Sequence, residues 1–247
     1  MSEIKEISEY LARTAAKAKA PYRRPRDAAT LILLDRAGDA PRVLFGRRHE
    51  GHAFMPGMFV FPGGGYDAID GRMQAVGMLD AVCERRLLGG SPKINAKRAR
   101  GLALAAIRET CEETGLLIGR RDERPLDIPS PAWEPFQKAG VHPDIGALSF
   151  IARAITPPGR PRRFDTRFFA ADRKNVAVEL PDVAGPDAEF VELKWLTPAD
   201  ARKEKLPAIT KVILEEVEKR LAASFGESLS APFFYTRNGK FYRDELA

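Results

Sequence analysis

The stretch Ala105–Gly119, AAIRETCEETGLLIG, sets Glu109, Glu112 and Glu113 within five residues of an otherwise apolar run. Residues three and four apart share one face of a helix, so this spacing gathers three carboxylates on one side. Leu104, Ile107 and Cys111 then fall on roughly the opposite side, where a sheet could bury them. Bare carboxylates this close raise one another's pKa, and like charges at this spacing weaken a helix. A divalent cation removes the conflict. A cluster made only of hard oxygen donors suits Mg²⁺ or Mn²⁺ rather than zinc, which prefers His or Cys. The competing reading of the same spacing is a solvated acidic helix face.

The elements that must position these groups follow from pattern. DAATLILLDR reads as a buried strand, and PRVLFGRR as a second strand after the turn at Gly38-Asp39. MFVFPGGG is a β-prone aromatic run stopped by three glycines. Asn95 is a suitable cap for the helix that ends in the glutamates, and Gly115 suits the left-handed position just past its end. Residues 67–94 form an insertion with short helical patterns, whose Met73, Val76, Met78, Leu79, Val82 and Leu87 are too many apolar groups for a free linker. RDERPLDIPSPAWEPF reads as a proline-rich surface loop. LSFIARAITP and RFDTRFFAA pair as a hairpin across PGRPR, and EFVELKWL is a further strand. Thr197-Pro198 opens a helix, and in the last long helix Ile209, Val212, Ile213 and Leu221 share a face. Strands and helices interleave throughout, which indicates an α/β sandwich. Residues 1–25 are read as an N-terminal amphipathic helix and extension, with Ile4, Ile7 and Leu11 at helical spacing, and residues 26–247 as one domain.

Composition narrows the function classes. The 247 residues carry a net charge of +6 with Lys and Arg scattered, which favours an anionic substrate but neither nucleic acid nor a membrane surface. Cys83 and Cys111 form no CxxC pair, so neither a disulfide scaffold nor a zinc site is expected. With no apolar run of membrane-spanning length and no apolar signal core, the expected compartment is the cytoplasm. A homodimer is allowed for.

Phe61–Gly64, FPGG, and Arg108–Leu116, RETCEETGL, together resemble the signature of the Nudix hydrolases. The second half follows the pattern R-E-apolar-x-E-E-x-G-apolar, with Thr110 a departure at the first apolar place. The first half departs further: Gly64 lies forty-four residues before Arg108, where the usual spacing is fourteen. The family's first glutamate, which braces the arginine, is missing; Arg100 holds its place counted back from Arg108, and the forward count from Gly64 assigns Gly71. Asp67 and Asp70 are the acids on hand to substitute. One branch, the coenzyme A and acyl-CoA diphosphatases, carries an insertion here and is similar to this chain over about residues 26–201. Of that branch's separate coenzyme A motif, Arg48, Gly57 and Phe61–Gly64 align, whereas Ala53 stands at its second arginine.

The resemblance implies a Nudix-type α/β/α sandwich with a mixed sheet, a helical insertion and a C-terminal helix. It implies Mg²⁺- or Mn²⁺-dependent hydrolysis of a small-molecule nucleoside diphosphate linked to another group. Coenzyme A or acyl-CoA, cut to (acyl-)4'-phosphopantetheine and 3',5'-ADP, leads; ADP-ribose, dinucleotides, nucleotide sugars or a non-enzymatic ligand sensor are the alternatives. By analogy Glu112, Glu113 and Glu109 hold the metal with the carbonyl of Gly63, and Arg108 holds the glutamates. The general base is left open between a glutamate of the signature and Asp182, Asp187 or Glu189. Arg48 and Arg163 are the candidate phosphate-binding arginines, although arginines such as Arg160, Arg162, Arg163 and Arg167 are more often a solvated hairpin face. His49, His52 and Trp195 read as structural, Phe54, Met55, Phe59 and Phe61 as core before base-stacking groups, and Cys111 as a buried small residue.

Overall fold

The computed structural model describes residue 21 and residues 23–52, 55–225 and 229–246. The expected N-terminal helix, Ala53 and Phe54 lie outside the described residues. Strand β1 (Arg26–Asp35) is the centre of the fold. Its alternation sends Leu31 and Leu33 to one side of the sheet and Ile32 and Leu34 to the other, each into a separate apolar cluster. A strand buried on both faces reads as a continuous apolar run, which is why LILL, Leu31–Leu34, lacks polar residues.

Around β1 lie β2 (Arg42–Arg48), β3 (Phe59–Val60) and β4 (Gly63–Gly65), then β7 (Ser149–Ile155), β8 (Phe164–Asp172) and β10 (Phe190–Leu196). The C-terminal strands β11 (Ala231–Arg237) and β12 (Lys240–Leu246) complete a nine-stranded sheet in the order β10-β2-β1-β8-β7-β11-β12, with β3 on β2 and β4 on β1. β1 runs parallel to β8 and antiparallel to β2 and β4, so the sheet is mixed. A second, three-stranded sheet is formed by β5 (Leu116–Arg121), β6 (Val141–Pro143) and β9 (Val176–Glu179). On one face of the large sheet pack α1 (Ala81–Gly89) and α2 (Ala96–Thr114); on the other packs α5 (Ala208–Ala222). The α/β/α sandwich is therefore present.

The expected hairpin of β7 with β8 forms, and Thr197 caps α4 (Pro198–Ala201) by accepting from the Asp200 amide. One expectation is corrected in part. The proline-rich segment is a loop only as far as Ser130: Trp133 and Phe136 beyond it are fully buried, carried by a turn at Pro131–Trp133 and by α3 (Glu134–Ala139). Burying each such ring stabilises by about 1.5–3 kcal/mol, so prolines open the turn rather than exclude packing. The β11–β12 hairpin was not anticipated either, because its strands carry mixed charged and aromatic residues rather than clean alternation. The insertion docks as expected, with Met73, Cys83 and Leu87 in the core, while Met78 stays 82% exposed.

Candidate active site

α2 presents the glutamates. Asn95 caps it by accepting from the Arg98 amide, and Gly115 ends it with φ 74°, a left-handed conformation that glycine adopts without penalty. Leu104, Ile107 and Cys111 are buried in the core beneath, and burial pushes the Cys111 thiol up to about 12, which leaves it inert as a nucleophile. The opposite face meets the glycine loop. The Gly63 amide donates to Glu113 Oε2 at 2.8 Å. A Cβ added to Gly64 would lie 2.3 Å from Glu109 Oε2, so only glycine lets the loop approach this carboxylate.

Arg108 ties the cluster together. Its Nη1 donates to Glu109 Oε1 and to Glu112 Oε2, each at 2.9 Å, and Nη2 donates to the Gly65 carbonyl at 3.0 Å. The remaining donors go to Asp70 of the insertion, Nε to Oδ1 at 2.8 Å and Nη2 to Oδ2 at 3.1 Å, a bidentate and fully buried pair. The brace is thus not lost. Asp70, adjacent to the Gly71 that the forward count assigns, supplies it from a turn at Asp70–Arg72, and Asp67 serves that turn rather than the arginine, its own amide donating to Asp70 Oδ2. Burial alone would lower the pKa of Arg108, but the bond to Asp70 and the charges of Glu109, Asp70 and Glu112 raise it on balance.

One guanidinium does not neutralise this many acids. Burial first, then the charges of Glu112 and Asp70, pushes Glu109 up to about 7 despite Arg108. Burial also raises Glu113 well above the usual carboxylate range; the charges of Glu189 and Glu109 add to it, and the Gly63 amide and Arg48 oppose it. Glu112 is the outermost, its side chain 40% exposed.

Arg48 and Glu189 stand beside this cluster. They pair at 2.9 Å between Arg48 Nη1 and Glu189 Oε1, and both act electrostatically on Glu113. Of the three later acids, Glu189 is the one in electrostatic reach of Glu113. Arg163 has a different use: it is buried, donating to the carbonyls of Thr156 at 3.0 Å and Arg23 at 2.6 Å. It fastens the β7–β8 turn to the segment entering β1, a structural use of an arginine expected to bind phosphate. Arg167 is likewise engaged, by Asp27 and Asp165. His49 accepts from the Gly51 amide, a local turn contact.

Among the described residues, no three acidic, His or Cys side chains converge as a ready-made metal site. The reason is visible: Arg108 stands between Glu109 and Glu112, and Glu113 faces an amide. The donor set nevertheless fits a hard divalent cation. Each of these bonds uses one carboxylate oxygen, a carboxylate has two with about four lone-pair directions, and the cluster carries more negative charge than its arginine offsets.

No family model matches the chain. In sequence it is 28% identical to the acyl-coenzyme A diphosphatase NUDT19 of Homo sapiens, over 65% of this chain and 54% of that protein. With the Gallus gallus protein of the same name it shares 27%, over 64% and 54% respectively. The chain thus spans about half the length of the curated relatives it matches. In structure it superposes on a NUDIX hydrolase from Alicyclobacillus acidocaldarius with a TM-score of 0.60 and 26% identity, covering 78% of this chain and 90% of that one.

Proposed function

We propose that this chain, which carries the Nudix hydrolase fold, hydrolyses the pyrophosphate of a nucleoside diphosphate linked to another group, with coenzyme A or an acyl-CoA as that substrate. The observation that carries the reading is the glutamate face of α2, closed by Arg108 and Asp70 and set against Gly63–Gly65. Glu109, Glu112, Glu113 and the Gly63 carbonyl would hold Mg²⁺ or Mn²⁺. Bound there, such a cation offsets phosphate charge and lowers the pKa of water.

The chain's own residues supply the rest. Arg108 keeps Glu109 and Glu112 side by side, and Asp70 keeps Arg108 from turning away. The Gly63 amide fixes Glu113, and the missing side chain at Gly64 leaves room for Glu109. Water attacking phosphorus must release a proton, and a carboxylate at this site accepts it; Glu189 and the glutamates of α2 are the acids within reach of one another. Arg48 offers a cation beside the cluster for an anionic oxygen of the substrate.

Similarity to proteins named acyl-coenzyme A diphosphatase supports the substrate class. The test is a panel of coenzyme A, 3'-dephospho-coenzyme A, ADP-ribose and NADH with Mg²⁺ or Mn²⁺, products read by mass. Coenzyme A should yield 4'-phosphopantetheine and 3',5'-ADP, and lead its dephospho form by about tenfold in kcat/KM if one charged hydrogen bond reads the 3'-phosphate. A clear preference for ADP-ribose or NADH would move the enzyme to another Nudix substrate class.

A further inference from the structure

A cavity of about 290 Å³ opens where the two sheets meet, lined by Arg36, Arg120 and Lys174 together with Asp144, Asp172 and Phe225. We propose that this cavity binds the dianionic phosphate group of a small phosphate monoester, at a site separate from the glutamate face of α2 and independent of the reaction proposed above.

Its place in the fold suits a ligand. β1 and β8 run parallel, paired from Arg26 with Phe164 to Leu34 with Asp172, so their carboxyl ends reach the cavity together. Ligands of parallel strands commonly collect beyond such ends. The small sheet contributes Arg120 from β5 and Asp144 directly after β6, and Lys174 lies in the turn that follows β8. Thr30 of β1 pairs with Gly63 of the glycine loop, whereas Leu34, further along the same strand, lines the cavity. At the rise of a strand that separation is about 13 Å. On β5 the run from Leu116, next to the end of α2, to Arg120 also spans about 13 Å. A phosphate held here does not touch the glutamates.

The charges around the cavity are unequally used. Asp144 accepts from the Gly146 amide with Oδ1 at 2.9 Å and from Arg120 Nε with Oδ2 at 2.6 Å. Asp172 accepts from the Lys174 amide with Oδ1 at 3.0 Å and from Arg36 Nε with Oδ2 at 2.7 Å. Every oxygen of the two acids is thus already engaged. Each arginine uses only its Nε, and among the described residues neither its Nη groups nor the Lys174 ammonium makes a hydrogen bond or ion pair. The acids therefore hold each guanidinium by one edge and leave its paired Nη donors, the geometry that matches phosphate oxygens. Three cations against two acids leave a positive surplus that an anion offsets. Phe225, with the Arg36 guanidinium 5.5 Å above its ring, adds a carbon wall. The volume lies at the low end for small-ligand pockets, which suits a phosphate with a short organic part. Because the Arg36 and Arg120 side chains are 40% and 69% exposed, added salt should weaken binding.

The test titrates inorganic phosphate and glycerol 3-phosphate into the metal-free full chain at constant ionic strength, following backbone amide signals by NMR. The Gly146 and Lys174 amides should shift saturably while those of Gly63 and Gly64 stay in place, and glycerol 3-phosphate should bind at least as tightly as phosphate. Lys174→Glu should weaken both by about tenfold or more, the scale of one charge-assisted hydrogen bond, and Lys174→Arg should stay within about threefold. The exposed Lys174 ammonium has no partner to lose, so unchanged signals away from the cavity report intact folding in both variants. Shifts scattered over basic surface residues, shifts confined to the glycine loop, or equal affinity in Lys174→Glu would overturn the site. Weaker binding of glycerol 3-phosphate than of inorganic phosphate would overturn the monoester as its ligand.

Discussion

Two partly buried ionic clusters flank α2, and they are built on opposite principles. Towards its N-terminus, Arg98 and Arg167 both engage Asp27, while Arg153 and Arg167 both engage Asp165. Positive and negative groups alternate, and each acid touches two arginines. Burial would raise the pKa of Asp27, but the bonds and charges of Arg98 and Arg167 hold it below its ordinary value. At the other end Glu109, Glu112 and Asp70 share Arg108, and Glu113 adds a further charge. There Glu109 is pushed up to about 7. Burial alone does not mark a functional site, because both clusters have it. The surplus of one sign does, since it is tolerable only where another charge is due to arrive.

The largest expected effect tests that surplus directly. Glu112→Gln and Glu113→Gln keep shape but remove charge, and should cut turnover about a hundredfold or more in Mg²⁺ with the far-UV spectrum unchanged. Full activity in both variants on a confirmed substrate would mean the surplus has no catalytic meaning.

Asp70 sharpens the contrast, because it belongs to the site yet touches no substrate in this reading. Asp70→Ala leaves Arg108 buried with its bidentate partner gone. Stability should fall by about 3 kcal/mol in urea titrations and kcat by about tenfold, with Asp70→Glu restoring part of both. If kcat is untouched while stability falls, the brace is structural only.

Asp27→Ala is the counterpart in the balanced cluster. It removes one of the two acids that pair the buried Arg167 and should cost about 2 kcal/mol, less than a fully buried pair because Asp165 still holds Arg167 and Arg98 keeps contact with solvent. kcat/KM should remain within about twofold. A loss comparable to that of Asp70→Ala would erase the distinction between the two ends.

The smallest effect is on pH dependence. Burial pushes Glu109 up to about 7 from an ordinary value of 4.5, so between these values the folded chain binds more protons than the unfolded one. Stability of metal-free protein should therefore fall as pH rises from about 4.5 to 7. Asp27 has the opposite sign: its stabilisation is present above its unfolded pKa, near 4, and is lost as pH falls through its lower folded value. Urea midpoints in EDTA, taken for wild type and Glu109→Gln, isolate the first slope by difference. Identical slopes would place the Glu109 carboxylate in a more solvated setting.

Local pattern carried much of this site. The spacing of Glu109, Glu112 and Glu113 on one helix face needs only the helical period, and Asn95 and Gly115 bound that helix by their own backbone chemistry. The β1 strand was legible from its apolar run Leu31–Leu34, and β8 from its strand composition. What pattern missed are contacts that cross long stretches of chain. Trp133 and Phe136 sit in a segment whose prolines resemble a loop, and nothing local reveals the core they enter. The arginines around Arg163 look alike in sequence, yet the structure buries Arg163 on two carbonyls.

The sequence by itself determined the alternation of strands and helices that makes the α/β sandwich and the helix with its three acids, because each is read from neighbours a few residues apart. Only the tertiary structure decided that Asp70 braces Arg108 from thirty-eight residues away, that Arg48 and Glu189 meet beside Glu113, and that the C-terminal hairpin completes the sheet. The physical reason is that charge pairing and sheet edges are satisfied by whatever the fold brings near, and sequence separation carries no record of that proximity.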